Sequence, residues 1–198
     1  MTDRNGNIYT IIYAMVLAAI VAGVLALVSV ALAPRQAANA EAEALASIKA
    51  AARLSDASVD SLTVGNLTVY ECISGFDTVT VIPCHGKGLW GPIWGYVALE
   101  KDLTSVRGVS FDHKSETPGL GAQIAESRYH RRFIGRPLKA GSIYHLDIDG
   151  ISGATRTSRS LEVMLDECMN TYASFMDSLR AAREPASLDT KEDIKNVK

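Results

Sequence analysis

Hydrophobic residues follow three different patterns along this chain, and the first is a long uncharged run near its start. No charged residue occurs from Ile8 to Ala33, whereas about 20 apolar residues suffice to cross the hydrocarbon core of a bilayer. The apolar core of a cleaved signal peptide is shorter, at about 7–15 residues. The run therefore predicts an uncleaved transmembrane helix at 8–33, preceded by a short segment at 1–7.

The second pattern is an alternation of β-branched and polar residues that follows an alanine-rich segment. The composition of residues 36–54 has high helix propensity and predicts a helical stalk, within a stalk and linker at 34–60. Alternating runs at 67–73 and 78–82, separated by a turn that contains Gly75, predict a β-hairpin. The other predicted elements are strands at 94–99, 106–111 and 143–148 and a helix at 124–133.

The third pattern is a helical stripe that begins after Ser158. Its apolar residues recur at spacings of three and four, which marks one face of a helix: Leu161, Met164, Leu165, Cys168, Tyr172, Phe175, Met176 and Leu179. The stripe predicts a helix at 158–182. Residues 61–184 thus predict an α+β domain, with a small antiparallel sheet and flanking helices, and residues 185–198 form a charged tail.

The charge of the chain narrows the classes of partner. The formal net charge is −2, which argues against a strongly basic nucleic-acid-binding surface, and no nucleic-acid or metal-ligand motif occurs in the sequence. A basic segment runs from Arg128 to Arg132 and continues at Arg136. It has two interpretations: docking of an acidic partner or of lipid head groups, or a solvated loop or helix face.

The three cysteines, Cys72, Cys84 and Cys168, have no Cys-x-x-Cys spacing. This argues against a metal site and against a full disulfide framework. A bridge between Cys72 and Cys84 would suit an oxidising compartment, but we favour two small buried residues, since both lie in strand sequence. Cys168 lies on the apolar face of the last helix, and we expect no redox role for any of the three.

Candidate chemistry is concentrated at residues 149–155, Asp-Gly-Ile-Ser-Gly-Ala-Thr, directly before the last helix. Unpaired N–H groups and the helix dipole stabilise a phosphate at a helix N-terminus. Gly153 and Ala154 permit close approach. Four hydroxyls and two positive charges are added by Ser152, Thr155, Thr157 and Ser158 and by Arg156 and Arg159. The competing interpretation needs no ligand, because Ser and Thr before a helix are ordinary N-caps, each worth about 1 kcal/mol.

Three motifs in order add a family resemblance. The pattern Asp149-x-x-Ser-Gly-Ala-Thr155 is similar to the signal of flavoproteins whose FMN phosphate is esterified to that threonine by a dedicated flavin transferase. The blocks Gly-Lys-Gly-Leu-Trp-Gly at 86–91, continuing through Trp-Gly-Tyr at 94–96, and Glu-Thr-Pro-Gly-Leu-Gly at 116–121 resemble the C subunit of the sodium-translocating NADH:quinone reductase. The resemblance covers most of the chain.

The resemblance implies a set of site residues. Thr155 would carry the covalent FMN, and Asp149 would belong to the recognition motif for flavin transfer. Trp90 and Leu120 would flank the flavin ring, with Glu116 and Thr117 near its polar edge, although core packing also explains Trp90 and Leu120. The remaining residues expected at the cofactor are Ser152, Gly153, Ala154, Thr157, Ser158, Gly119 and Gly121. No catalytic acid, base or nucleophile and no protein-bound metal is expected.

The resemblance also implies a function. The chain would be an electron-relay subunit of an enzyme of the bacterial inner membrane, single-pass, with residues 1–7 cytoplasmic and its FMN domain on the periplasmic side. It would receive electrons from an iron or iron–sulfur centre in a neighbouring subunit and pass them to a second flavin subunit. The sequence itself contains no nicotinamide-binding fingerprint and no iron–sulfur cysteine set.

Two alternatives stay open at this point. The G subunit of Rnf-type electron-transport complexes shares the threonine motif but is less similar around Lys87 to Trp90. An alternative from another class is a membrane-anchored interaction module without flavin, in which the turn at 149–155 only caps a helix and the basic segment binds a partner or lipid.

Overall fold

The computed structural model describes residues 7–138 and 148–183, in two compact units that divide between residues 44 and 45. The helix α1 (Asn7–Ala52) is continuous through Pro34. The predicted strand at 143–148, apart from its last residue, and the predicted tail at 185–198 lie outside the described residues.

The first unit is the exposed, apolar part of α1. Large hydrophobic side chains from Ile8 to Leu32 are exposed, including Leu27 at 72% and Val30 at 75%. The helix rises about 1.5 Å per residue, so its uncharged part at 8–33 extends about 39 Å, more than the about 30 Å of a hydrocarbon core. The predicted long apolar helix is confirmed, and it is long and apolar enough to cross a membrane.

The second unit is built on an antiparallel sheet of five strands in sequential order. The strands are β1 (Ser58–Val64), β2 (Leu67–Ser74), β3 (Asp77–Lys87), β4 (Pro92–Leu99) and β5 (Val106–His113). The β2–β3 pair is the predicted hairpin, with Tyr70 opposite Val81 and Ser74 opposite Asp77. The α+β fold class is confirmed, and it follows from alternation and turn signals that each act over a few residues.

The sheet separates two cores because successive side chains of a strand point to opposite faces. On one face, Ile82 and Cys84 pack with Leu161 and Leu165 of α3 (Thr155–Arg183). On the other face, Val79, Val81 and Ala98 pack with the end of α1, where Ile48, Ala51 and Ala52 are buried. The apolar stripe predicted for the last helix is therefore a core-facing surface.

Element boundaries differ from the prediction at several places: β3 continues to Lys87, α3 begins at Thr155, and the stalk, β1 and the segment at 121–133 differ as well. The helical part of the stalk ends at Ala52, because Arg53 is left-handed (φ 58°) and the next N–H, of Leu54, bonds back to the Lys49 carbonyl. Strand β1 then begins at Ser58, within the predicted stalk. The helix predicted at 124–133 is divided into short 3₁₀ helices at 121–125 and 131–133 and the one-turn α2 (Ser127–His130), because Glu126 is extended.

Candidate flavin site

The hydroxyl turn, residues 149–154, is closed by hydrogen bonds immediately before α3. The Ala154 N–H donates to the Ile151 carbonyl oxygen at 2.9 Å. The Ser158 hydroxyl accepts the Ile151 N–H at 3.0 Å and donates to the Ala154 carbonyl oxygen at 3.2 Å. Gly153 has a φ of +77°, a conformation that favours glycine. These contacts fix the shape of the turn that leads to Thr155, the first residue of α3.

The four hydroxyls predicted to surround a phosphate fall into two pairs. Thr157 and Ser158 are 1% and 4% exposed and face the protein. Ser152 and Thr155 are exposed to solvent. Because the first N–H groups of a helix have no partner within it and carry its positive dipole end, Thr155 and Ser152 lie where an anion is stabilised. Thr157 and Ser158 support that position from beneath.

Glu116 connects the hydroxyl-turn helix to the loop that carries Trp90. Its Oε1 accepts the Trp90 N–H at 2.9 Å, and its Oε2 accepts the Thr157 hydroxyl at 2.7 Å. Burial alone would raise the pKa of this carboxyl. The hydrogen bonds from Trp90 and Thr157, with smaller contributions from the Leu89 main chain and from His113, outweigh burial and hold the pKa of Glu116 below its usual range. The carboxylate is therefore ionised at neutral pH.

The glycine turn, residues 117–121, approaches the hydroxyl turn closely. The Thr117 carbonyl oxygen accepts the N–H groups of Leu120 and Ala122, each at 3.1 Å. Gly119 has a φ of +74°, which again favours glycine. A Cβ placed on Gly153 would lie 3.0 Å from Leu120 Cδ2. The Leu120 side chain thus lies against the backbone that precedes Thr155.

Apolar side chains remain uncovered around this site. Trp90 is 68% exposed, Leu120 is 41% exposed and Leu89 is 38% exposed. A cavity of about 300 Å³ lies beside Leu89 and Trp90. The core-packing interpretation of Trp90 and Leu120 is therefore wrong: both side chains project from the domain, where a planar ligand can reach them.

A second, larger cavity of about 500 Å³ lies between the end of β3 and the first turns of α3. Lys87, Arg156 and Arg159 bring three positive charges to its lining, and Glu167 brings one negative charge. The lining of this cavity includes Arg156, the residue after Thr155. The excess positive charge of the cavity therefore adds to the field of the helix N-terminus.

The basic segment at 128–136 contacts the site from within the domain. Arg132 donates a hydrogen bond of 2.7 Å to the Asp149 carbonyl oxygen in the hydroxyl turn. Arg128 donates to the side chain of Gln123 at 2.9 Å, and Gln123 in turn donates to the Gly119 carbonyl oxygen in the glycine turn. These two arginines therefore support the two turns, a role that neither sequence interpretation of the segment included.

The disulfide of the domain joins Cys84 on β3 to Cys168 on α3. Cys72 is free and buried. The Cys72–Cys84 bridge considered from the sequence is therefore wrong, because these cysteines lie on opposite faces of the sheet, in the two separate cores. The favoured interpretation, small buried residues without a bridge, is right for Cys72 and wrong for Cys84. The expectation that Cys168 is only an apolar residue of the helix face is wrong as well.

Comparison with known proteins identifies a domain family and several proteins to which this chain is similar. Residues 88–170, from the Trp90 loop through most of α3, match the FMN-binding domain family. This segment, rather than the whole chain, is similar to FMN-binding domains. The C subunit of the Na(+)-translocating NADH-quinone reductase of Vibrio vulnificus is 31% identical over 136 residues, covering 61% of this chain and 52% of that protein. The corresponding Chlamydia trachomatis protein is 38% identical over 102 residues, covering 52% of this chain and 30% of that protein.

The fold comparison agrees with the sequence comparison. The crystal structure of Shewanella oneidensis NqrC matches with a TM-score of 0.52 and 25% identity, covering 68% of this chain and 74% of that one. The predicted resemblance of the chain to the C subunit of the reductase is thus confirmed. The chain spans about half the length, or less, of the curated relatives that it matches.

Sequence reasoning missed several residues of this candidate site. Arg132 was noted only for its charge, and His113, whose ring Nδ1 accepts the Glu116 N–H at 3.3 Å, was left out of the site. Gly88 lies in a recognised motif, but its contact with Glu116 depends on a fold that places residues far apart in sequence side by side. No pattern of neighbouring residues in the sequence predicts any of these contacts.

Proposed function

We propose that this chain is the FMN-carrying subunit of a membrane-bound Na+-translocating NADH:quinone reductase, and that its FMN is esterified through the phosphate to Thr155. The observation that carries the proposal is the position of Thr155 in the segment that is similar to FMN-binding domains. It is an exposed hydroxyl at the first residue of α3, after a turn held by its own hydrogen bonds.

The charge around Thr155 fits a phosphate ester. The N-terminal N–H groups of α3 and its dipole favour an anion, and Arg156 and Arg159 follow on the first turns of the helix. Ser152 is exposed beside Thr155 and can donate a hydrogen bond to a phosphate oxygen. The residues present therefore suit the bound group at its phosphate end.

The apolar side chains fit the other end of FMN. Large exposed apolar groups often mark a surface that a ligand or partner covers, and Trp90, Leu89 and Leu120 are such groups at the edge of this site. We propose that these three side chains hold the flavin ring and exclude water from it. When bound, FMN would supply reversible electron transfer, while the protein positions it and sets its electrostatics.

The function of such a subunit is to relay electrons. By resemblance to the C subunit of the reductase, the donor is an iron or iron–sulfur centre of a neighbouring subunit and the acceptor is a second flavin subunit. The roles of Glu116, Thr117, Gly119 and Gly121 are to shape the site, and none of them needs to exchange a proton with substrate. Asp149 would belong to the motif that the flavin transferase recognises.

The location of the domain follows from two features. The helix α1 is apolar and exposed enough to anchor the chain in a membrane. The Cys84–Cys168 disulfide favours an oxidising compartment for the domain. We therefore propose a single-pass anchor in the bacterial inner membrane with the FMN domain on the periplasmic side, where a covalent bond prevents loss of the flavin.

The test is the intact mass of the full chain purified from its native membranes, with flavin fluorescence of the denatured band. We expect an added mass equal to one FMN, lost in Thr155→Val, which keeps the shape of the side chain without its hydroxyl. Thr171→Val, at an exposed threonine of the same helix, should retain the adduct. An unmodified wild-type mass would favour the interaction module, and retention of FMN in Thr155→Val would place the ester elsewhere.

A further inference from the structure

Glu116 is the one carboxylate among the buried side chains of the described residues, at 4% exposure. A buried charge is costly unless hydrogen bonds compensate for its lost hydration. Here each oxygen has a donor, the Trp90 main chain at 2.9 Å and the Thr157 hydroxyl at 2.7 Å. The two donors come from different segments of the chain, 26 and 41 residues from Glu116 in sequence.

Two glycines make room for this carboxylate. A Cβ on Gly88 would lie 2.5 Å from Glu116 Oε1, and a Cβ on Gly121 would lie 2.6 Å from Glu116 Oε2 and 2.7 Å from the Thr157 hydroxyl oxygen. Such distances are shorter than real carbon contacts, so any side chain at these positions would displace the carboxylate. The Trp90 loop, the glycine turn and the start of α3 therefore meet at a single acidic group.

We propose that Glu116 is a positioning residue, which holds the Trp90 loop and the Thr155 helix in one arrangement before flavin is attached. The inference rests on the proposed function for its purpose. The Glu116 tie, meaning the two hydrogen bonds that join Trp90 and Thr157 through Glu116, is a property of the protein without flavin. The carboxylate accepts both hydrogen bonds with its negative charge. Gln has no charge and one acceptor oxygen, so its NH2 group would have to donate to the Thr157 hydroxyl oxygen and reverse that hydrogen bond, and both contacts would be weaker.

Coupling is the property that separates this role from simple packing. The Trp90 N–H and the Thr157 hydroxyl are each bound to a different oxygen of Glu116. Removing the Thr157 hydroxyl should therefore loosen the carboxylate and, through it, the main chain at Trp90. A side chain that only fills space would not transmit this change.

The experiment uses the full chain in detergent, produced without the flavin transferase so that it carries no FMN. Amide hydrogen exchange at Trp90 is measured in wild type, Glu116→Gln, Thr157→Val and the double variant. We expect exchange about tenfold faster in each single variant, the size of change when the Trp90 hydrogen bond is weakened by about 1.4 kcal/mol. The double variant should exchange little faster than Glu116→Gln.

A second measurement, the rate of flavin attachment, tests whether the Glu116 tie matters for the proposed function. A matched control variant is used in both measurements. With the flavin transferase and its flavin donor supplied, the attachment rate at Thr155 should fall about tenfold in Glu116→Gln. Glu100→Gln, which removes a partly exposed carboxylate paired with Arg107 on another part of the domain, should change neither Trp90 exchange nor attachment.

The outcomes for the two proposals are distinct. Unchanged Trp90 exchange in both Glu116→Gln and Thr157→Val overturns the positioning role, whatever the flavin content. If Glu116→Gln fails to fold, Thr157→Val alone decides, because it removes a hydroxyl and keeps the side-chain volume. A wild-type chain that never acquires FMN would overturn the proposed function, while faster Trp90 exchange in the variants would still support the tie.

Discussion

Arg132 donates a hydrogen bond of 2.7 Å to the main-chain carbonyl oxygen of Asp149, where the hydroxyl turn begins. Its guanidinium also lies over the ring of Tyr129, 5.4 Å from the centroid, and that ring is buried in the core beside Phe133. The arginine thus connects the turn before Thr155 to the hydrophobic core of the domain. A positively charged side chain that looks like surface by composition acts as a support for the proposed attachment site.

The first prediction concerns this support. Arg132→Ala should slow attachment of FMN to Thr155 about threefold to fivefold, because the turn loses a charge-assisted hydrogen bond of about 1 kcal/mol at an exposed position. Attachment is measured by intact mass after timed exposure to the flavin transferase. Arg131→Ala, at the exposed neighbouring position, should attach flavin at the wild-type rate; equal rates in all three proteins would contradict the support role.

The second prediction concerns space around Glu116. Gly88→Ala should destabilise the domain by about 1–3 kcal/mol, since the added methyl group overlaps the Glu116 carboxylate and the Gly91 carbonyl oxygen. Urea unfolding followed by tryptophan fluorescence measures the change. The control is Gly150→Ala, whose Cβ would meet Ser158 only at an ordinary 3.5 Å, and we expect it to unfold within about 0.5 kcal/mol of wild type. If Gly88→Ala left the free energy of unfolding unchanged, the loop would have moved to accommodate the methyl group without cost.

Local elements of this protein could be predicted from sequence because their signals lie within a few residues. The uncharged run at 8–33, the β2–β3 hairpin and the apolar stripe of α3 each depend on spacing along the chain. The position of Thr155 at the start of a helix belongs to the same class. These features fix the fold class and identify the hydroxyl turn.

Contacts between distant segments could not be predicted in this way. Glu116 and Thr157 are separated by 41 residues and Cys84 and Cys168 by 84, and only the packing of α3 against the sheet brings each pair together. The division of the hydroxyls into an exposed pair and a buried pair depends on the same packing, because residues 155 and 157 lie on different sides of a helix. Sequence patterns give the residue types of the site but not their partners.

The third prediction concerns the Cys84–Cys168 disulfide. It closes a long loop, with a sequence separation of 84 residues, so Cys84→Ala together with Cys168→Ala should lower the free energy of unfolding by about 2–4 kcal/mol. Thermal unfolding of the two proteins measures this loss. Cys72→Ala is the control for cavity formation by a buried cysteine that has no bridge.

The fourth prediction concerns the number of cysteines that react with a thiol reagent before and after reduction of this disulfide. Wild-type protein unfolded without reductant should react with a thiol reagent at Cys72 alone, and after reduction at Cys72, Cys84 and Cys168. The added mass distinguishes the two results directly. Reaction at all three cysteines before reduction, in protein from native membranes, would mean that the bridge does not form there and would remove one argument for the periplasmic side.

The last prediction is the pH dependence of the Glu116 contacts. Burial of Glu116 opposes ionisation, but its hydrogen bonds to Trp90 and Thr157 outweigh burial, so the pKa is lower in the folded than in the unfolded protein. A carboxyl of this kind stabilises the folded state at every pH above its unfolded pKa of about 4.3, and this stabilisation is lost as the pH falls through the folded pKa. The difference in unfolding free energy between wild type and Glu116→Gln, measured in urea, should therefore be constant between about pH 6 and 7 and shrink below about pH 4.

Wild-type protein should lose part of its advantage in acid because a protonated Glu116 no longer accepts both hydrogen bonds equally well. A difference that stays constant down to pH 3 would show that the charge of Glu116 contributes nothing, and that only its shape supports the site.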